Sequence, residues 1–258
     1  DGGLLIVTGT ERGRRWDGIA SRAETLGIDQ APSVMTLADD TGSGNVSAEQ
    51  TYYAGYRYLD DADIPGSLCE DLATITTSAD ALHRIDYAGI AANSDPRVVK
   101  IEIYRSTAGQ QTSLYRVAVT GNRGEITATA DSGGFSQFTT SATHYLELGT
   151  VLEVAGHPDA AMNTQHRVTA VDAVAKTFVT DQAYSSGGTA SWATVGFQDD
   201  ETADTTLATY PRIDIFFEDD TIDARRYSPA PNWASAVVMF QDRAWYAVPV
   251  RYDQGTVT

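Results

Sequence analysis

The stretch from Val98 to Thr120, VVKIEIYRSTAGQQTSLYRVAVT, constrains the fold of this chain more than any other. Val98, Lys100, Glu102 and Tyr104 alternate with Val99, Ile101, Ile103 and Arg105. A second run, Leu114 to Val119, follows a polar turn that bends at Gly109. Period-two alternation in β-branched and aromatic residues predicts two half-buried strands. The face carrying Val99, Ile101 and Ile103 then needs a second sheet to cover it.

The rest of the chain offers the strands for that sheet. Ala48 to Asp60 places Tyr52, Ala54, Tyr56 and Tyr58 on one face and Tyr53, Gly55, Arg57 and Leu59 on the other. Asp71–Thr77 and Arg84–Ile90 read as further strands. DDTGSGN (residues 39–45), DDADIPG (60–66) and NSDPR (93–97) read as turns or loops. At the N-terminus, Leu4–Thr8 and Arg14–Trp16 form a predicted hairpin, too small to stand alone in water and expected to pair with the tail. Ser21–Ile28 reads as a short helical or irregular link, and Ala31-Pro32 opens an extended segment. Strands 8–15 residues apart with Gly, Pro and Asp turns predict an all-β sandwich.

Composition narrows the function. The net charge is −17, from 35 acidic against 18 basic residues, and only Lys100 and Lys176 are lysines. Such a surface repels phosphate backbones, so no nucleic acid is expected as a partner. A 42% hydrophobic and 9% aromatic share supports packed cores. Cys69 is the single cysteine, which excludes an internal disulfide and a thiolate zinc cluster. No apolar run reaches membrane-spanning length, and no signal peptide is evident. The sequence starts at Asp1 and stops just after a strand-like VPVRY and a turn-like DQG, so it reads as a fragment of something longer.

Ala31-Pro32, a Gly-rich turn, TYYAGYRYLD, SDPRVVKIEIYRS and SLYRVAVT follow one another in an order that resembles a known module. It is the fibronectin-III-like sandwich found in virion structural proteins of tailed bacteriophages. The acidic closing turn that the resemblance leads one to expect after Thr120 comes only at Val195–Leu207, VGFQDDETADTTL. Residues 121–194 therefore read as an insertion, a small β-barrel or sandwich of five or six strands. Its strands are expected in YLELGTVLEVA (145–155), around a Gly turn with Leu146, Leu148, Val151 and Leu152, and in QHRVTAV, KTFVT and Ala190–Val195. Near the C-terminus, Ile213–Phe217, Ala236–Phe240 and Ala244–Tyr252 read as strands. The order Phe240, Gln241, Asp242, Arg243, then aromatic residues, resembles blade strands of β-propellers in tail hub and nozzle proteins.

The domain plan is then a hairpin and linker (1–29) pairing with 212–258, a sandwich (30–120 with 195–211), an inserted β domain (121–194) and C-terminal strands of a propeller-like or terminal β domain (212–258). The resemblance implies a non-enzymatic virion component of a tail, neck or nozzle. Its partners would be other copies of itself in a ring, neighbouring virion proteins and host surface glycans. A carbohydrate-binding or adhesin-type surface protein is the alternative.

Candidate site residues are few. Asp199, Asp200 and Asp204 are the best carboxylate group for calcium, which takes six to eight oxygens, although acidic turns are plainly solvated in most proteins. His157 and His166 lack a spacing that marks a zinc site; Asp159 is available as a third ligand, and loop histidines are the plainer reading. Trp233, Trp245, Tyr246, Arg225 and Arg226 are candidate interface residues, since aromatic and Arg side chains anchor subunit contacts. No nucleophile elbow, phosphate loop or dinucleotide fingerprint is present, and no cofactor is implied beyond calcium.

Overall fold

The structure, a computed structural model, describes residues 4–6, 14–16, 24–25, 28–32, 35–69, 71–80, 82–200, 202–214, 236–240 and 243–247. Contacts divide the chain into two compact units, residues 1–29 with 228–258, and residues 30–227. In the first unit β1 (Leu4–Ile6) and β2 (Arg14–Trp16) form the expected hairpin, with Leu4 opposite Trp16. The link read as helical or irregular instead holds a strand, β3 (Glu24–Thr25), whose Thr25 pairs with Arg14. Pairing satisfies the open backbone edge of β2, which a helix there would leave bare.

The second unit begins with β4 (Thr36–Val46), β5 (Thr51–Leu59), β6 (Ala73–Thr76), β7 (His83–Ala88), β8 (Lys100–Ser106) and β9 (Ser113–Gly121). Strands β6, β5, β8 and β9 lie in that order in one antiparallel sheet, and β4 pairs with β7 in another. The predicted inner faces hold for Tyr52, Ala54, Tyr56, Tyr58, Ile101 and Ile103, all at most 1% exposed, whereas Val99, expected beside Ile101, is only half-buried. The Tyr hydroxyls reach backbone at the ends of the β4–β7 pair. Tyr58 donates to the Ala91 carbonyl at 2.6 Å, and Tyr52 accepts from the Ser47 amide at 3.1 Å. A buried hydroxyl needs such a partner, so these bonds fix which residues of the two sheets face each other. The result is sandwich-like and all-β.

One expected turn is part of a strand. DDTGSGN lies within β4 rather than between strands. Thr41 and Val46 both sit opposite His83, so residues 42–45 loop out of a continuing ladder. Gly42 and Gly44, at φ +106° and +94°, permit that excursion.

Residues 123–200 supply β10 (Arg123–Ser132), β11 (Phe135–Thr140), β12 (Thr150–Ala155), a 3-10 turn (Ala160–Met162), β13 (Gln165–Asp172), β14 (Thr177–Ala183) and β15 (Ala190–Asp200). Their order is β10-β11-β14-β13-β12-β15, and β15 returns to β10 with Arg123 opposite Ala193 and Ile126 opposite Ala190. This is a closed six-stranded antiparallel barrel, and closure leaves it no free edge. Ile126, Phe138, Leu152, Met162, Phe178 and Trp192 fill it. The expected strand over 145–148 is absent: β12 starts only at Thr150, and Leu148 is 58% exposed. Leu146, at 5%, is the one leucine of that pair to enter the core.

The eleven residues of β15 serve two sheets. Its first half closes the barrel, while Gly196 and Phe197 lie opposite Ala88 and Tyr87 of β7. Gly121, where β9 ends, makes this junction tight; a Cβ there would meet the His144 carbonyl oxygen at 1.9 Å. A short helix, α1 (Asp204–Leu207), follows, and β16 (Arg212–Asp214) adds to the outer edge of β9 with Ile213 opposite Leu114. In the first unit, β17 (Ala236–Phe240) and β18 (Arg243–Ala247) form a hairpin with Val238 opposite Trp245 and Val237 opposite Tyr246. No helix among the described residues is long and apolar enough to cross a membrane.

Candidate functional site

Among the described residues, the outer face of the five-stranded sheet carries a dense polar arrangement. Along it Arg57 of β5 lies opposite Glu102 of β8, and Glu102 opposite Val119 of β9. A regular ladder would then set Val117 opposite Tyr104. Instead the register slips between Ile103 and Tyr104, and Arg116 takes that place. The extra residue turns the Arg116 side chain onto the Glu102 face; re-aiming a side chain is what a β-bulge does.

Glu102 is thereby enclosed. Its Oε2 accepts from Arg57 Nε at 2.6 Å and from the Tyr104 hydroxyl at 2.7 Å, and its Oε1 accepts from Arg116 Nη1 at 3.0 Å. It is 3% exposed. Burial pushes its carboxyl upward, but the Tyr104 hydroxyl and the two guanidinium groups outweigh this and hold it below the usual range. Burial and the neighbouring Glu102 charge drive the Tyr104 phenol the other way, well above its ordinary value.

The segment leading to β12 walls this face. Glu147 Oε2 accepts from the Val119 amide at 3.3 Å, and partial desolvation against the sheet raises its carboxyl above the normal range although the residue as a whole is exposed. Lys100 Nζ lies 4.6 Å from the centre of the Tyr145 ring and 2.6 Å from Asp63 Oδ1. Sheet and wall enclose a hollow of about 480 Å³. Asp63 and Tyr145, on its two rims, sit at φ +61° and +54°. Residues with a Cβ resist that region, and strained backbone of this kind gathers at working surfaces.

Asp204, one of the three carboxylates expected to bind calcium, has a different task. Its Oδ1 accepts from Arg105 Nη1 at 3.0 Å, and its Oδ2 accepts from the Tyr52 hydroxyl and the Ala108 amide, each at 3.1 Å. Arg105 is fully buried, donates to the Thr202 carbonyl at 2.7 Å and stacks 4.9 Å from the Tyr52 ring. The carboxylate therefore pins α1 to the sandwich core. Asp199 and Asp200 fall in β15, and their side chains lie outside the described residues. Among the described residues no three His, Cys, Asp or Glu side chains gather to hold a metal.

The histidines are internal rather than superficial. His157 is 4% exposed and accepts from the Asp159 amide at 3.1 Å, while His166 is 1% exposed and bonds the Met162 carbonyl at 2.7 Å. His144 accepts from the Leu146 amide at 3.0 Å, and burial lowers its pKa against the pull of the Asp172 and Thr177 carbonyls. His83 differs. Its Nδ1 faces Asp39 Oδ1 and its Nε2 faces the Asp80 carbonyl, both at 2.7 Å. Two acceptors require two N–H groups, so the site favours imidazolium. Burial opposes this, but Asp39 and the Asp80 carbonyl prevail and the pKa rises.

Of the expected interface residues, Arg225, Arg226 and Trp233 lie outside the described residues, and for Trp245 and Tyr246 only the β18 backbone is described. Trp192 is in the barrel core and Tyr52, Tyr56 and Tyr58 are in the sandwich core, so none of these four rings is open to a sugar. Comparison with models of known families, with curated proteins and with solved structures finds no match.

Proposed function

We propose that this chain is a non-catalytic structural component of a bacteriophage virion, in a tail, neck or nozzle assembly, that works through subunit contacts. The observation that carries the reading is β15, one strand shared between the closed barrel and the β7–β4 sheet. A shared ladder fuses guest and host into one stiff body, and stiff bodies suit closed symmetric rings. The resemblance of the sandwich strands to phage virion modules supplies the setting, and the internal pairing of Arg105 with Asp204 favours a scaffold role for that acidic turn.

Copies carrying −17 repel one another, so ring closure should depend on salt or divalent cations. Light scattering of the purified full chain across ionic strength, with negative-stain imaging, tests this. Symmetric rings that form as screening rises support the reading. A monomer under all conditions, together with absence of the chain from purified particles, overturns it.

A further inference from the structure

The hollow on the outer sheet face has a charge balance unlike that of the chain as a whole. Three cations, Arg57, Lys100 and Arg116, face three carboxylates, Asp63, Glu102 and Glu147. Glu102 holds both arginines, and Asp63 holds Lys100. An incoming anion would have to draw a cation away from its carboxylate, which disfavours an anionic ligand, and among the described residues no three His, Cys, Asp or Glu side chains gather to hold a metal. What the hollow offers instead is a fixed set of planar donors and acceptors beside an aromatic ring. Arg116 opens outward with its side chain 36% exposed, and Tyr145 is 37% exposed although Lys100 packs against its ring.

Guanidinium and carboxylate groups each bond two adjacent hydroxyls in one plane, and an aromatic face covers a ring of C–H groups. Both belong to the chemistry of a neutral sugar. We propose that this hollow, between β5, β8, β9 and residues 145–147, binds a neutral saccharide, with Arg116 and Glu147 bonding its hydroxyls and Tyr145 packing against its apolar face. The volume of about 480 Å³ falls within the range of small-molecule sites. The bulge that turns Arg116 onto the Glu102 face and the left-handed backbone at Tyr145 both act to place these groups. The proposal is independent of the virion reading, because a glycan site serves a surface protein of any origin.

The test is an array of neutral and acidic oligosaccharides probed with the full chain, followed by calorimetric titration of the strongest neutral binder. Tyr145→Gly is the informative variant. It deletes the ring at a φ of +54°, where glycine is unstrained, and that relief offsets part of the packing lost with the ring, so the fold should be kept. Neutral-saccharide affinity should fall about tenfold or more in Tyr145→Gly and in Arg116→Gln, with the far-ultraviolet spectrum unchanged. No neutral binder up to about 10 mM, binding of acidic glycans alone, or affinity unmoved by Tyr145→Gly overturns the proposal.

Discussion

Replacing Asp204 by Ala should destabilise the second unit strongly. The substitution removes the carboxylate that balances the Arg105 guanidinium, fully buried and 3.0 Å from the lost oxygen, takes the acceptor of the Ala108 amide, and leaves the Tyr52 hydroxyl only the Ser47 carbonyl at 3.4 Å. Breaking a buried ion pair from one side costs about 3–5 kcal/mol. The lower end applies here, because the Asp204 side chain is 17% exposed and Arg105 keeps the Thr202 carbonyl. For a unit of this size ~3 kcal/mol corresponds to roughly 6–12 °C in Tm. Urea unfolding of wild type, Asp204→Ala, Arg105→Met and the double variant forms the cycle. With both partners gone no charge is left unpaired, so the double variant should recover about 1–3 kcal/mol relative to the sum of the singles. A loss below about 1 kcal/mol in Asp204→Ala, or strict additivity, refutes the clasp. A calcium-binding Asp204 predicts instead that chelation alone lowers Tm, whereas the clasp predicts no change on chelation.

His83 should give stability an alkaline limit. Its folded pKa lies above the unfolded value of 6.5, so its contribution is complete below that pH and is lost as pH rises through the folded pKa. Urea midpoints across that window should fall in wild type and stay flatter in His83→Gln; parallel profiles would remove His83 as the cause. Gly121→Ala should cost about 3 kcal/mol or more, or prevent soluble expression, since its Cβ meets backbone that cannot yield. Gly133→Ala, at φ +67° but in open space, should cost only about 1 kcal/mol by the same thermal melt. Equal losses at the two positions would contradict the tight junction.

The parts of the fold that could be read in advance were those with bulky alternation. The Tyr52-Tyr56-Tyr58 face and the Ile101-Ile103 face announced themselves because large side chains must be buried and period two fixes which way they point. The hairpin β10–β11 did not, since ITATADSGGFSQFTT is built of Ala, Thr and Ser and its pairing is decided by barrel closure. DDTGSGN has the composition of a turn, and only the His83 register shows it to be an excursion within a strand. The outer-face site was half visible. Alternation puts Lys100, Glu102 and Tyr104 on one face, and Arg57 on the face opposite Tyr52 and Tyr56, but charged strand residues normally signal a solvated surface. Nothing in SLYRVAVT marks the slip that brings Arg116 to Glu102, because a bulge is set by the partner strand. Charge alone marks Asp204 in the sequence, while its partner Arg105 lies 99 positions away and gives no local sign.

The shared strand also sets an order of events as the protein is made. β15 is the last strand of the barrel to leave the ribosome, and until it arrives β10 and β12 each lack a neighbour. A nascent chain halted before Ala190 presents unpaired strand edges, the surfaces most prone to join other chains. Emergence of a single segment closes the barrel and also extends the β7–β4 sheet, so host and guest lobes mature together instead of one after the other.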